Sequence, residues 1–164
     1  MIKPFLIALL SCITLVNILA LPTQSQADHD SAYQSVPQAK RASLQQSVAR
    51  MVELQKQQRW AEIYDLLPDS ERGRSRDDFV RESSQLSRLL AFEPTEVVLV
   101  PTDPNEWLVI GCGAFAKRYV TPGVQSGIYA RFHDTKWSVS TVMIVGGEGV
   151  PPKRCTVHTD RGGL

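Results

Sequence analysis

Ala91-Phe92-Glu93-Pro94-Thr95-Glu96-Val97-Val98-Leu99-Val100 is where the chain changes period. Upstream, from about Leu44 to Leu90, apolar residues recur every three or four positions, which is the spacing of amphipathic helices. Downstream, from about Val97 to Val145, they fall in β-branched and aromatic runs split by Pro, Gly and Asn turns. Helices followed by a strand meander predict an α+β domain, with about three N-terminal helices packed on one face of a curved antiparallel sheet of about four strands.

The helical half divides into three. Leu44, Val48, Met51 and Val52 form an apolar stripe opposite Gln45, Gln46, Arg50, Glu53 and Gln57, so a long helix is expected from Gln38. Trp60, Ile63, Tyr64 and Leu67 fall at i, i+3, i+4 and i+7 and predict a short helix closed at Leu67-Pro68. Ser75-Arg76-Asp77-Asp78 reads as an N-cap with acids in the first turn. The third helix would turn Phe79, Leu86, Leu89 and Leu90 inward and stop near Phe92, ahead of Pro94. Arg72, Arg74, Arg76 and Arg81 gather at its start, but Glu71, Asp77, Asp78 and Glu82 are interleaved, which favours a solvated, charge-balanced loop over an anion site.

In the second half, Val97 to Val100 is a compact strand followed by the turn Thr102-Asp103-Pro104-Asn105. Trp107 to Arg118 is the longest strand candidate, and Gly111 and Gly113 around Cys112 suggest a bulge or bend. Thr121-Pro122-Gly123 fits a type II turn leading into Gly127 to His133. There Ile128, Ala130 and Phe132 face one way, and Tyr129, Arg131 and His133 the other. His133-Asp134-Thr135-Lys136 reads as a hairpin tip before the alternating run Trp137 to Val145.

The two ends carry a different signal. Met1 to Pro4 with its single Lys3, the apolar run Phe5 to Leu21 and the small residues of Ser25-Gln26-Ala27 read as a secretory signal peptide, residues 1–27, cut before Asp28. The alternative is a membrane anchor formed by residues 5–21. Residues 28–37 are polar and aperiodic and read as a flexible lead-in, residues 38–145 as the domain, and 146–164 as a Gly/Pro-rich tail. With Lys3 removed, the basic residues equal the 17 acidic ones, so no net field draws the domain to nucleic acid or to a membrane surface. Cys112 and Cys155 then remain, and two thiols in an oxidising compartment most simply pair. A metal site from Cys112, Cys155 and His158 has only one clustered ligand pair, so no metal and no cofactor is expected.

No phosphate-cradling Gly-rich motif, nucleophile elbow or paired-histidine zinc motif occurs, nor a basic aromatic strand for stacking nucleic acid. The order of elements, the segment Trp60-Ala61-Glu62-Ile63-Tyr64-Asp65-Leu66-Leu67, the opening Ser75-Arg76-Asp77-Asp78-Phe79, and the strands Gly127-Ile128-Tyr129-Ala130-Arg131-Phe132 and Lys136-Trp137-Ser138-Val139 do resemble one family. This is the nuclear-transport-factor-two-like superfamily, the cystatin-like α+β cone to which ketosteroid isomerase and scytalone dehydratase belong, over about residues 38 to 145. The resemblance implies a pocket between the long helix and the sheet, and in the family's enzymes an Asp or His buried within it. His29, His133 and His158 fall in the lead-in, a hairpin tip and the tail. Trp60, Tyr64, Asp65, Tyr129 and Arg131 are therefore the pocket candidates, with Asp65 the best-placed acid and no catalytic residue assigned. The expected role is an exported, non-catalytic module that binds an unidentified small molecule or protein partner. The alternatives are an isomerase- or dehydratase-type enzyme using Asp65 with Tyr64 or Tyr129, and a membrane-tethered component of an envelope assembly.

Overall fold

The structure is a computed structural model that describes residues 31–67, 72–116, 119–145 and 153–157. The expected signal segment and cleavage position, His29, and most of the Gly/Pro-rich tail, His158 included, lie outside these residues. Among the described residues, helices α1 Gln38–Lys56, α2 Trp60–Leu66 and α3 Arg76–Ser83 precede the strands. The strands are β1 Leu89–Leu99, β2 Glu106–Phe115, β3 Tyr119–His133, β4 Lys136–Val139 and β5 Met143–Ile144. All pair antiparallel in the order β1-β2-β3-β4, with β5 beside β3, so the α+β expectation of helices packed on an antiparallel sheet holds. Among the described residues no helix is long and apolar enough to cross a membrane.

Helix α1 buries Leu44, Val48, Met51 and Leu54, a stripe repeating at the helical period, against the sheet. Opposite it the inner faces of β2, β3 and β4 supply Trp107, Val109, Ile128, Ala130 and Val139, with Trp107, Ala130 and Val139 in cross-strand register. Burial of side chains this large at about 25 cal/mol per Å² is the main force holding helix to sheet. Helix α3 starts where the sequence predicts: the Ser75 hydroxyl accepts the Asp78 amide at 3.2 Å, satisfying a first-turn N–H that has no helical partner.

Four expectations are corrected. Helix α3 ends at Ser83, and Leu89 and Leu90 open β1 instead of continuing the helical face. Leu89 is buried and Leu90 exposed, which is strand alternation, and the ladder from Leu89–Phe115 to Leu99–Trp107 supplies bonds that a serine-rich helix end cannot match. Pro94 sits within β1 beside a bulge, tolerated because this strand is a sheet edge. Thr121-Pro122-Gly123 is not a turn but part of the 15-residue β3. Residues 31–37 are no loose tether, since Ala32, Tyr33 and Val36 enter the core and the Ser35 hydroxyl donates to the Val97 carbonyl.

Gly123 explains why β3 can run on. Its φ of +146° is one that side-chain-bearing residues rarely adopt, and an added Cβ would stand 2.8 Å from Cys112 Sγ. The space is taken by the Cys112–Cys155 disulfide. This bond lays residues 153–155 along β3, where Gln125 N–H donates to Lys153 O at 2.8 Å and Cys155 N–H to Gly123 O at 3.1 Å. Both sulfurs are thereby consumed, which removes the alternative of a thiolate metal site.

Candidate functional site

Helix α1 ends in a turn that both closes the helix and opens a cleft. Arg59 N–H donates to Leu54 O at 2.9 Å and Gln58 N–H to Gln55 O at 3.1 Å, the paired bonds of a Schellman cap. The left-handed position of that cap, which favours glycine, is held by Gln58 at φ 57°. The reversal sends the chain into α2 and leaves the end of α1 facing the loop after α3 and the strand β5. Between them lies a cleft of about 1120 Å³.

Its inner wall is apolar, with Phe115 and Val142 buried and Ile144 half-buried. At its mouth Leu86 is 56% exposed and Met143 41%, so the apolar lining extends to solvent. The polar lining is mostly uncharged: Gln55, Gln58, Ser84, Gln85, Ser87 and Thr141. The two charged residues are Glu82, which pairs with Arg74, and Arg88, whose Nε donates to the Lys56 carbonyl at 3.1 Å. Amides and hydroxyls can orient a neutral ligand, but this lining supplies neither a histidine nor a carboxyl group free of an ion pair for proton transfer.

Gln55 is the residue that sequence reasoning missed. It is buried, its Nε2 donates to Val142 O at 3.2 Å, and its Oε1 accepts Val142 N–H at 2.8 Å. This clamp fixes the backbone between β4 and β5, and thereby one wall of the cleft. The signal available was its position, since Gln55 follows Val48 and Met51 by seven and four residues on the buried stripe of α1.

The five sequence candidates do not converge. Trp60 is buried at the start of α2, and its indole N–H has no acceptor among the described residues. Tyr64 is half-buried, donates from its hydroxyl to the Arg74 carbonyl at 2.9 Å and packs on Phe79. Asp65 points to solvent, its side chain 58% exposed, and pairs with Arg76 at 3.1 Å. Tyr129 and Arg131 lie on the outer sheet face, away from α1, where Arg131 pairs with Asp103 at 3.3 Å and Glu106 at 3.4 Å. None of the five lines the cleft.

The arginines at the start of α3 behave as a balanced surface loop. Arg74 pairs with Glu82, Arg76 with Asp65 and Arg81 with Asp78. The Ser75 hydroxyl and then Arg81 hold the Asp78 carboxyl below the usual aspartate range, and the bond and charge of Asp65 raise the Arg76 pKa. Comparison with protein-family models, with curated proteins and with solved structures finds no match to this chain.

Proposed function

We propose that the protein is an exported, non-catalytic binding module that takes an uncharged, largely apolar ligand in the cleft between the end of α1, the loop after α3 and β5. The observation that carries this reading is the lining itself. An apolar wall runs out to exposed Leu86 and Met143, bordered by neutral amides and hydroxyls, with its one carboxylate, Glu82, paired with Arg74. Such a surface gains free energy by losing water to an apolar guest. The Cys112–Cys155 disulfide supports an oxidising compartment, and the apolar Phe5 to Leu21 run supports export. A kinship with the nuclear-transport-factor-two-like superfamily fits the order of helices and sheet and is part of the same proposal. Solvent exposure of Asp65, its pairing with Arg76 and the exposure of Tyr129 weigh against an acid–base enzyme built on those residues.

The test is a set of neutral apolar fragments titrated into the isotope-labelled protein and read by amide chemical shifts. Shifts should gather at Gln55, Gln85, Ser87, Thr141 and Ile144. Leu86→Asp and Met143→Asp should abolish them while shifting the melting temperature by no more than about a few degrees, because both side chains are partly exposed. Shifts that gather instead around Tyr129 on the outer sheet face would overturn the assignment of the cleft.

A further inference from the structure

A second concavity, of about 390 Å³, lies between α1 and the β3–β4 hairpin and shares no residue with the cleft. One wall is the helical face Ser43, Gln46, Ser47 and Arg50, spaced i, i+3, i+4 and i+7. The other is Thr135, Lys136, Trp137 and Val139, and Leu66, 41% exposed, closes the lining.

Trp137 is held in place before any ligand arrives. Its Nε1 donates to Ser43 Oγ at 3.0 Å, and its ring meets Trp107 and Phe132 edge to face, with centroids 5.2 Å and 4.9 Å away. The Lys40 ammonium, 4.0 Å from the Phe132 centroid, braces the same aromatic group from the first turn of α1. A fixed indole offers a flat apolar surface at little cost in side-chain entropy. The groove's charge is one-sided: Arg50 and Lys136 line it and no Asp or Glu does. Glu62 approaches Arg50 only at 3.6 Å, with both side chains exposed, so a ligand carboxylate can compete for the guanidinium at small cost. Thr135 adds a further sign of a built surface. It occupies the second central position of the hairpin turn at φ 67°, where glycine is favoured and a β-branched residue is strained, and it lines the groove.

We infer that this groove binds a carboxylated sugar ring. The C–H face of a pyranose covers the Trp137 indole, its hydroxyls reach Gln46, Ser47 and Thr135, and its carboxylate answers Arg50 and Lys136. A neutral sugar leaves the two cations unanswered, and a simple inorganic anion leaves the indole and Leu66 uncovered. The groove volume lies within the range usual for small-molecule sites, about 300–1,000 Å³.

The full chain, isotope-labelled, is titrated separately with digalacturonic acid, maltose and sodium acetate. The uronate should shift the Trp137 indole N–H and the amides of Gln46, Ser47 and Lys136, saturating below about 10 mM, with maltose at least about tenfold weaker and acetate without effect on the indole. Lys136→Gln and Arg50→Gln, both at exposed positions, should each weaken the uronate about three- to tenfold at unchanged melting temperature. Trp137→Phe keeps an aromatic ring against Trp107 and removes the indole; it should weaken the uronate further. Maltose binding as tightly as the uronate, acetate reproducing the indole shift, or Lys136→Gln leaving uronate affinity unchanged would each overturn the inference.

Discussion

The Gln55 side chain and the Val142 backbone exchange two hydrogen bonds across 87 residues of sequence, one at 3.2 Å and one at 2.8 Å. Both residues are buried, so neither Val142 group has water as a fallback. Gln55→Leu is expected to keep the helix and its packing volume while orphaning a buried N–H and a buried C=O, at about 2 to 4 kcal/mol. Chemical denaturation should record that loss as a lower midpoint with an unchanged slope. A cost below about 0.5 kcal/mol would mean that the Val142 groups find other partners.

The Cys112–Cys155 bond closes a loop over a sequence separation of 43 residues. On the chain-entropy account this stabilises the fold by about 4 kcal/mol. The double variant Cys112→Ser with Cys155→Ser should lose about that much, and amide exchange should speed up first at Gln125 and at position 155, whose backbone bonds join the tail to β3. Peptide mapping without reductant is the direct check: linked peptides are expected, and two alkylatable thiols would refute the pairing.

What could be read from the sequence was what local chemistry decides. The stripe Leu44, Val48 and Met51, the Ser75 cap, the hairpin tip at Asp134-Thr135 and the cysteine pair all follow from spacing, side-chain oxygens or simple counting. The stretch Leu86 to Leu90 misled because a helix face and a strand end share its apolar spacing, and pairing with β2, remote in sequence, settles it. Tyr33 was invisible for a related reason, since a lone aromatic among polar residues carries no period, and its burial depends on a core assembled from elsewhere. The cleft escaped because its polar residues are glutamines and serines on segment ends, residue types that signal no chemistry by themselves. Asp65 drew attention by following Tyr64 on a helix, but sequence does not say which way a helix-end carboxylate points.

Tyr33 gives an alkaline signature. Burial raises its phenol pKa well above the ordinary value of 10.0, so the folded state keeps the proton when the unfolded chain gives it up. The contribution is complete below about pH 10 and is lost as pH rises beyond it, at up to about 1.4 kcal/mol per pH unit. Thermal unfolding between about pH 8 and pH 11 should therefore fall more steeply for the parent chain than for Tyr33→Phe. Parallel curves would show that the Tyr33 hydroxyl ionises freely in the folded state.

Gln58 separates stability from binding. At φ 57° it occupies the cap position where glycine carries no Cβ penalty, so Gln58→Gly should raise stability by about 0.5 to 1 kcal/mol, the gain reduced by the greater freedom of glycine in the unfolded chain. The same side chain lines the cleft. If the strain is retained for the sake of a hydrogen bond to ligand, the glycine variant melts higher and binds the neutral fragments more weakly. Calorimetric melting and fragment titration on one preparation measure both effects. A variant that melts higher and binds unchanged would confine Gln58 to a structural role and leave Gln55, Gln85 and Thr141 as the polar contacts of the cleft.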